Sequence, residues 1–211
     1  MSRTALFVID IQRALADSHQ TQIPHAKRIV DAGTTILEVE REIIDHSGIR
    51  GELPHLEIIV VQHEETPEKG NLQRGSREWE LVFPPRYQGH DLVVRDEYLI
   101  SKDVREYSSP QLLHIGELKL KGDTFASNPT LAAELKARDV GTIVAFGIQS
   151  ECCVFSTCRG ALAAGFKVVL LRGAHSTYDT YKKTALEIER EVEEMLESEG
   201  VTVVDWKKWI L

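Results

Sequence analysis

Short apolar runs alternate with longer segments of helical periodicity along this chain. A run of about four to eight apolar residues predicts a strand buried on both faces, whereas apolar residues three or four apart predict an amphipathic helix. The runs predicted to be strands are residues 5–9, 56–61, 91–94, 142–146, 166–171 and 201–204. The segments predicted to be helices are residues 23–44, 128–138, 153–164 and 184–199. Alternation of this kind predicts an α/β fold in which helices cover both faces of a parallel sheet.

Polar residues with useful chemistry stand where the predicted strands end. Asp10 follows the first strand, His63 follows the second, Lys119 closes a short segment from residue 117, and Cys153 follows strand 142–146. Ligands of open parallel sheets bind at the carboxyl ends of the strands, because backbone and side chains converge there on one crevice. We therefore expect these four side chains to lie on one rim of the sheet.

Composition bounds the classes of function. With 211 residues, we expect a single domain over residues 1–211, with an insertion at about residues 96–116. A formal net charge of -8 argues against a nucleic-acid or anionic-membrane partner, so a small-molecule substrate is expected. No apolar run reaches the roughly 20 residues of a membrane span. Three cysteines, two of them adjacent, suggest no disulfide framework, and we expect a cytoplasmic protein.

The run from Gly147 to Cys153 places cysteine in the predicted connection between a strand and the helix that follows it. The N–H groups and partial positive charge of a helix N-terminus lower the pKa of a thiol and can hold a developing oxyanion. A carboxylate such as Asp10 can take the thiol proton, and an ammonium such as Lys119 can stabilise the anion. Each residue also has an ordinary interpretation: Cys152 and Cys153 as packing residues, Asp10 as a turn cap, and Lys119 as a surface lysine.

Three segments in order along the chain carry a family resemblance. They are Leu6–Gln12, Lys119–Phe125 with Leu131 beyond, and Gly147–Val154 followed by Thr157, Ala161, Gly165 and Phe166. Together they resemble the isochorismatase-like cysteine hydrolases, which include nicotinamidase and N-carbamoylsarcosine amidase. The resemblance implies a three-layer α/β/α sandwich with a mainly parallel central sheet, and an Asp–Lys–Cys triad that hydrolyses a C–N bond through a thioester. By position, Asp10 is the base, Lys119 the cation and Cys153 the nucleophile.

The resemblance also orders the competing cysteines and lysines. The nucleophile of the family follows the glycine by six positions and precedes valine, which selects Cys153 and leaves Cys152 as a packing residue. The family's lysine lies six residues before the phenylalanine, which favours Lys119. Lys121 shares the face of Lys119 in an extended strand and remains an alternative. Asp96 stands where relatives usually deliver the lysine directly, so the chain departs from the family there.

An oxyanion hole is implied in the same way. The family has a non-proline cis peptide bond before the nucleophile, and it corresponds here to Ile148–Gln149. This bond aims the backbone N–H of Gln149 beside that of Cys153, so these two groups are the expected oxyanion donors.

His63 marks where metal-binding relatives differ from this chain. Nicotinamidases present Asp-x-His with a further histidine to hold zinc or a similar ion, whereas this chain has His63 within residues 62–65, Gln-His-Glu-Glu, and no second histidine nearby. We therefore predict no metal and no other cofactor. His63 is expected to be a wall of the substrate pocket, with an atypical metal site as the alternative. Gln12, Trp79 and Phe125 are further candidates for the pocket wall, and core packing is the alternative for the two aromatic residues.

These observations predict a cysteine-dependent hydrolase of a small amide or related C–N substrate. An alternative from another class is a non-catalytic or redox-responsive binding protein on the same fold, in which Cys152 and Cys153 are oxidisable thiols. Vinyl ether hydrolysis of the isochorismatase type is a weaker alternative, because that enzyme lacks the cysteine. Family members commonly form homo-oligomers, so we expect one here.

Overall fold

Six parallel strands form one central sheet in the computed structural model, which describes residues 2–86, 91–97 and 122–211. The strands are β1 Arg3–Ile9, β2 Leu56–Glu64, β3 Leu92–Glu97, β4 Val140–Ile148, β5 Lys167–Ser176 and β6 Thr202–Asp205. Their order across the sheet is β3-β2-β1-β4-β5-β6, and every neighbouring pair is parallel. The predicted α/β class and parallel sheet are confirmed. Nearly all of the predicted insertion at 96–116 lies outside the described residues.

Helices cover both faces of this sheet. They are α1 Arg13–Ala16, α2 Ala26–Ile49, α3 Thr124–Ser127, α4 Leu131–Ala137, α5 Phe155–Ala163, α6 Ala185–Ser198 and α7 Trp206–Trp209, with a π-helical turn at Ser150–Val154 before α5. Side chains of α1, α2 and α7 pack on one face, and side chains of α3 to α6 pack on the other. This is the three-layer sandwich that the resemblance implied. Within the described residues, no helix is both long and apolar enough to cross a bilayer.

Alternate residues of β1 fill two separate cores, because neighbouring side chains of a strand point to opposite faces. Leu6 and Val8 pack on the α2 side, and Phe7 and Ile9 pack on the α5 side. All four are buried, which explains why the strand has no polar alternation. Ile9 lies opposite both Val61 of β2 and Gly147 of β4. The residues that follow these three strands therefore meet at one edge of the sheet.

Turn-forming residues set the ends of two helices. The helix predicted over residues 23–44 is α2, which continues to Ile49 and is ended by Gly51 at a φ of 69°. The helix predicted over residues 128–138 is wrong in its first turn, because Asn128 has φ -129° and ψ 78° and α4 begins only at Leu131. Pro129 follows Asn128, and the residue before a proline is disfavoured in the helical region.

Strand β5 is longer than its apolar run predicts. It continues past Leu171 to Ser176, and its pairing with β4 shifts between Ala145 and Gly147. After the shift, His175 lies opposite Gly147. His175 is thus a fully buried residue of the sheet, beside the turn that carries Cys153.

Glu40 is an acidic residue on the buried face of α2. It is 5% exposed, and its Oε2 has no hydrogen-bond partner in the part of the chain that the structure describes. Burial raises the pKa of this carboxyl from 4.5 to about 6. The ionised form therefore destabilises the folded state by about 2 kcal/mol above pH 6. That cost falls as the pH decreases through 6, and it is absent below 4.5, where the carboxyl is protonated in both states.

We expect Glu40→Gln to raise the free energy of unfolding by about 2 kcal/mol at about pH 7.5 and to bring no gain at about pH 4, because glutamine has the same shape without the charge. Urea unfolding at the two pH values measures this difference. Glu38→Gln, on the exposed face of the same helix, is the control and should leave stability nearly unchanged at both. An equal gain from Glu40→Gln at both pH values would contradict the assignment of the cost to ionisation.

Candidate active site

Asp10 leaves the sheet at the end of β1 in a left-handed conformation. Its φ is 50°, a region that few residues other than glycine occupy and that Asp and Asn tolerate best. The Asp10 N–H donates to Val61 O, and the Asp10 carbonyl accepts from the Gln12 N–H, so both sides of the residue are held. Asp10 is 1% exposed. Such conformations cost roughly 1–3 kcal/mol and cluster at functional sites.

Cys153 lies in the π-helical turn that joins β4 to α5. The carbonyl of Gln149 accepts hydrogen bonds from the N–H groups of both Cys152 and Val154, which fixes the backbone on either side of Cys153. A cis peptide bond joins Ile148 to Gln149, the position at which the family resemblance implies one. The chain therefore does pass from a strand to a helix at this point, and Cys153 lies in the connecting turn and not in the regular α-helix.

The Asp10 carboxylate, the His63 imidazole and the Cys153 thiol meet at the carboxyl edge of the sheet. One donor atom from each lies within 4.8 Å of the other two. Asp10 and His63 are buried, and Cys153 is partly exposed. The structure thus brings together three of the four side chains predicted for this rim. The fourth, Lys119, and its alternative Lys121 lie outside the described residues.

Oxygen, nitrogen and sulfur donors in this arrangement could also hold a metal ion. Zinc accepts all three donor types, and three protein ligands leave a fourth position open. Two of these donors, from Asp10 and Cys153, are also those that the predicted hydrolysis needs. An ion bound here would therefore compete with the use of Cys153 as a nucleophile. The absence of a metal stays a prediction for this chain.

A cavity of about 210 Å³ lies beside these three side chains. Cys152 and Gln149 also belong to its wall. The remaining wall residues come from α1, from the loops after α1, β2 and β5, and from the end of β4: Ala14, Leu15, Thr21, Glu65, Asn71, Leu72, Ile148 and Tyr178. A cavity of this size suits a small substrate or one end of a larger substrate.

Gln12, a candidate for the pocket wall, does not line this cavity. Its side chain is fully buried and donates to the carbonyls of His63 and Trp79 at 3.0 and 2.8 Å. Its Oε1 accepts from the His63 N–H at 3.0 Å. Gln12 therefore holds the backbone that carries His63, which is a role in support of the site.

The two aromatic candidates also lie away from the cavity wall. Trp79 lines a separate groove near β3, and the guanidinium of Arg95 lies 5.7 Å from its ring centroid. Phe125 is buried in the core, where its ring stacks on Phe7 at 5.7 Å and contacts Phe166 at 5.8 Å. For Phe125, the structure shows the ordinary core packing that the sequence left open.

Gly122 packs directly against Cys153. Its φ is 80°, and a Cβ at this position would collide with Sγ of Cys153, so the site requires glycine. Thr157 of α5 anchors this contact, because its hydroxyl donates to the Gly122 carbonyl at 3.2 Å. The segment that contains Lys119 and Lys121 therefore rejoins the described structure in contact with Cys153.

Glu65 and Tyr178 are two of the wall residues that were not predicted. Glu65 accepts a hydrogen bond from the Leu72 N–H at 3.0 Å, and its other oxygen lies 3.9 Å from Nε2 of His63. The two-residue period of a strand was a signal for it, since Glu65 follows His63 by two positions. Tyr178 donates to the carbonyl of Thr21 and so joins the loop after β5 to the loop after α1. Nothing in the sequence pattern indicates that contact.

Burial separates the three cysteines, none of which forms a disulfide. Cys158 of α5 is fully buried, and burial raises its pKa to about 12, so it stays a thiol at neutral pH. Cys152 and Cys153 are partly exposed, and both belong to the cavity wall. Only these two are placed to meet a substrate or an alkylating reagent.

Known sequences similar to this chain include two streptothricin hydrolases of Streptomyces noursei. The identities are 27% and 28% over 175 residues, which is 83% of this chain. The matches cover 55% and 50% of the relatives, so the chain spans about half the length of the curated relatives it matches.

Solved structures share the fold. A cysteine hydrolase from Pseudomonas syringae pv. phaseolicola matches with a TM-score of 0.73 and 18% identity, over 99% of this chain and 91% of that one. The zinc complex of a pyrazinamidase from Pyrococcus horikoshii matches with a TM-score of 0.61 and 21% identity, over 96% and 99%. In addition, the family model of the isochorismatase domain matches residues 4–206. Because that match covers nearly the whole chain, this protein belongs to the isochorismatase-like hydrolase family.

Proposed function

We propose that this protein hydrolyses the C–N bond of a small amide or related substrate through a covalent thioester on Cys153. The observation that carries the proposal is the approach of the Cys153 thiol and the buried Asp10 carboxylate, within 4.8 Å, at the wall of a small cavity. A carboxylate near a thiol can remove its proton, and the cavity admits a substrate carbonyl to the sulfur. The names of the relatives, streptothricin hydrolase and pyrazinamidase, support this class of reaction.

In the proposed reaction, Asp10 accepts the proton of the Cys153 thiol, and the thiolate attacks the carbonyl carbon of the amide. The backbone N–H groups of Gln149 and Cys153 hold the oxyanion of the tetrahedral intermediate. Asp10 returns the proton to nitrogen as the C–N bond breaks, which releases an amine or ammonia and leaves the thioester. A water molecule, deprotonated by Asp10, then hydrolyses the thioester to a carboxylate and restores the thiol.

Lys119 is the proposed cation that stabilises the charges of Asp10 and the thiolate, with Lys121 as the alternative. Both belong to the segment that ends at Gly122, and the contact of Gly122 with Cys153 supports delivery of a lysine to the site. Lys119→Ala and Lys121→Ala, assayed side by side, decide between them, because the variant that lacks the catalytic lysine loses activity.

The proposal also includes a cytoplasmic location, a homo-oligomeric assembly and a mechanism without a metal. The absence of disulfides among the three cysteines is compatible with a reducing compartment. Size-exclusion chromatography with light scattering measures the assembly, and a monomer would contradict that part of the proposal.

The experiment that tests the proposed function measures ammonia release from a panel of small amides, ureas and hydroxamates, before and after dialysis against a chelator. We expect release from at least one class of compound, unchanged by dialysis, and an acyl group on the Cys153 peptide after acid quenching and mass spectrometry. A binding protein on the same fold would release no ammonia and carry no acyl group. Activity that disappears on chelation and returns with zinc would contradict the mechanism without a metal.

A further inference from the structure

A chain of hydrogen bonds runs from the turn that carries Cys153 to α6. Oγ of Ser150, the first residue of that turn, lies 2.8 Å from Nδ1 of His175, and Nε2 of His175 lies 3.2 Å from Oε1 of Glu193. The other oxygen of Glu193 accepts from Nε of Arg172 at 2.7 Å. Ser150 and His175 are 0% exposed, and Glu193 is 7% exposed. The imidazole is therefore held at both of its nitrogens.

The charge of Glu193 sets the direction of these bonds. Burial acts to raise the pKa of this carboxyl, but the hydrogen bonds from His175 and Arg172 and the positive charge of Arg172 outweigh it, so the pKa lies below its ordinary value. An ionised carboxylate only accepts hydrogen bonds. A neutral His175 therefore carries its proton on Nε2, and its Nδ1 accepts from the hydroxyl of Ser150.

Ser150 is coupled through the backbone to the reacting groups. It follows Gln149, whose carbonyl accepts from the N–H groups of Cys152 and Val154, and it precedes Cys153 by three positions. A displaced Ser150 would move the backbone that carries Sγ of Cys153. Ser150 does not line the cavity beside Cys153, and neither do His175 and Glu193. Any effect of these residues on the reaction must therefore pass through the turn.

We propose that Ser150, His175 and Glu193 are positioning residues that hold the nucleophile turn in its reactive geometry. The inference rests on the proposed role of Cys153 as nucleophile. The bonds connect Ser150, the buried first residue of the turn, to a buried carboxylate of a different layer, so the turn takes its position from the packing of α6 on the sheet. A displacement of about 1 Å at a reacting group can cost about 10²-fold in rate, which sets the scale of the expected effect.

Helix α6 offers a matched control. Glu189, one turn before Glu193, is also 7% exposed, and it also bonds an arginine, Arg28, and a residue at the end of β5, Ser176. These bonds of Glu189 are separate from the hydrogen bonds that link Ser150, His175 and Glu193, and they do not include the turn. Glu189→Gln therefore removes an equally buried charge from the same helix and leaves the proposed chain intact.

We expect Glu193→Gln and Ser150→Ala to lower kcat by about 10- to 100-fold while KM changes less than about threefold. Both should also slow the alkylation of Cys153 by iodoacetamide across a pH series, measured by mass in a Cys152→Ala background. Ser150→Thr, which keeps the hydroxyl, should restore both rates. Glu189→Gln should leave both within about twofold of the parent, whatever it does to the melting temperature.

Two outcomes would overturn the inference. One is an equal loss in Glu193→Gln and Glu189→Gln that follows the melting temperature, because it would show a role in stability alone. The other concerns the double variant Ser150→Ala with Glu193→Gln. If both residues act through the same series of hydrogen bonds, the double variant should lose no more activity than the worse single variant. Losses that multiply would therefore contradict the inference. Alkylation needs no substrate, so a failure of amide hydrolysis for the parent protein is distinguishable from a failure of this inference.

Discussion

Cys153→Ala is expected to lower amide hydrolysis by about 10³- to 10⁶-fold, the range for removal of a covalent nucleophile whose binding site stays intact. The expectation follows from the position of Cys153 in a backbone-fixed turn, within 4.8 Å of Asp10 and at the wall of the cavity. Loss of Sγ removes the atom of the proposed thioester, so no acyl group should appear on the variant. Ammonia release and intact mass after acid quenching measure the two effects.

Cys152→Ala is the matched control, because it removes the neighbouring thiol from the same wall. It should keep activity within about tenfold of the parent, the scale of one lost apolar contact in a pocket. Full activity of Cys153→Ala with inactive Cys152→Ala would reverse the assignment of the nucleophile. Cys158 needs no variant in this comparison, since it is fully buried and remains a thiol.

Asp10→Asn is expected to lower kcat by about 10²- to 10⁴-fold, because the amide cannot take the proton of Cys153 as a general base. Asparagine is the suitable replacement, since it tolerates the left-handed conformation that Asp10 adopts at a φ of 50°. Alanine at this position would confuse the loss of a base with backbone strain. Steady-state kinetics together with circular dichroism separate lost chemistry from lost fold.

Asp139→Asn provides the control for the backbone effect. Asp139 is the other residue with a positive φ that is not glycine in the described structure, at 61°, and it is exposed before β4. Its replacement should leave both activity and stability close to those of the parent protein. A similar loss of activity in the two variants would remove the case for Asp10 as a base.

The grouping of Asp10, His63 and Cys153 was predictable from the chain alone. Apolar runs placed each residue next to the end of a strand, and parallel strands that neighbour one another bring their carboxyl ends to one edge. The register of β1 with β2 and β4 is what realises this expectation, with Ile9 opposite Val61 and Gly147. Apolar runs predict this grouping well because a strand buried on both faces has little freedom to change its register or direction in the sheet.

The wall of the cavity was less predictable than the grouping of Asp10, His63 and Cys153. Gln12 lies after β1 and Phe125 lies in α3, yet Gln12 bonds the backbone at His63, and Phe125 packs between Phe7 and Phe166. Tyr178, which was not predicted, lines the cavity, whereas Gln12 and Phe125 do not. Residue type and proximity in sequence do not show which way a side chain turns when two loops from distant parts of the chain meet.

Helix α6 shows the same limit in its charged residues. Helical spacing predicted a helix over residues 184–199, and the helix runs from Ala185 to Ser198 with Thr184 as its N-cap. Charged residues of an amphipathic helix usually face solvent. Glu193 is nevertheless buried, because His175 and Arg172 of β5 offer it partners, and no property of α6 alone shows that.

The sequence by itself determined the layered α/β architecture and the edge of the sheet at which Asp10 and Cys153 stand, because hydrophobic periodicity is a local property that survives without long-range contacts. Tertiary structure alone decided the rest: the left-handed turn at Asp10, the shift in β5 that buries His175 opposite Gly147, and the bonds that link the turn carrying Cys153 to α6. These features depend on which distant groups lie within hydrogen-bond distance, and only the packed sheet and its helices set those distances.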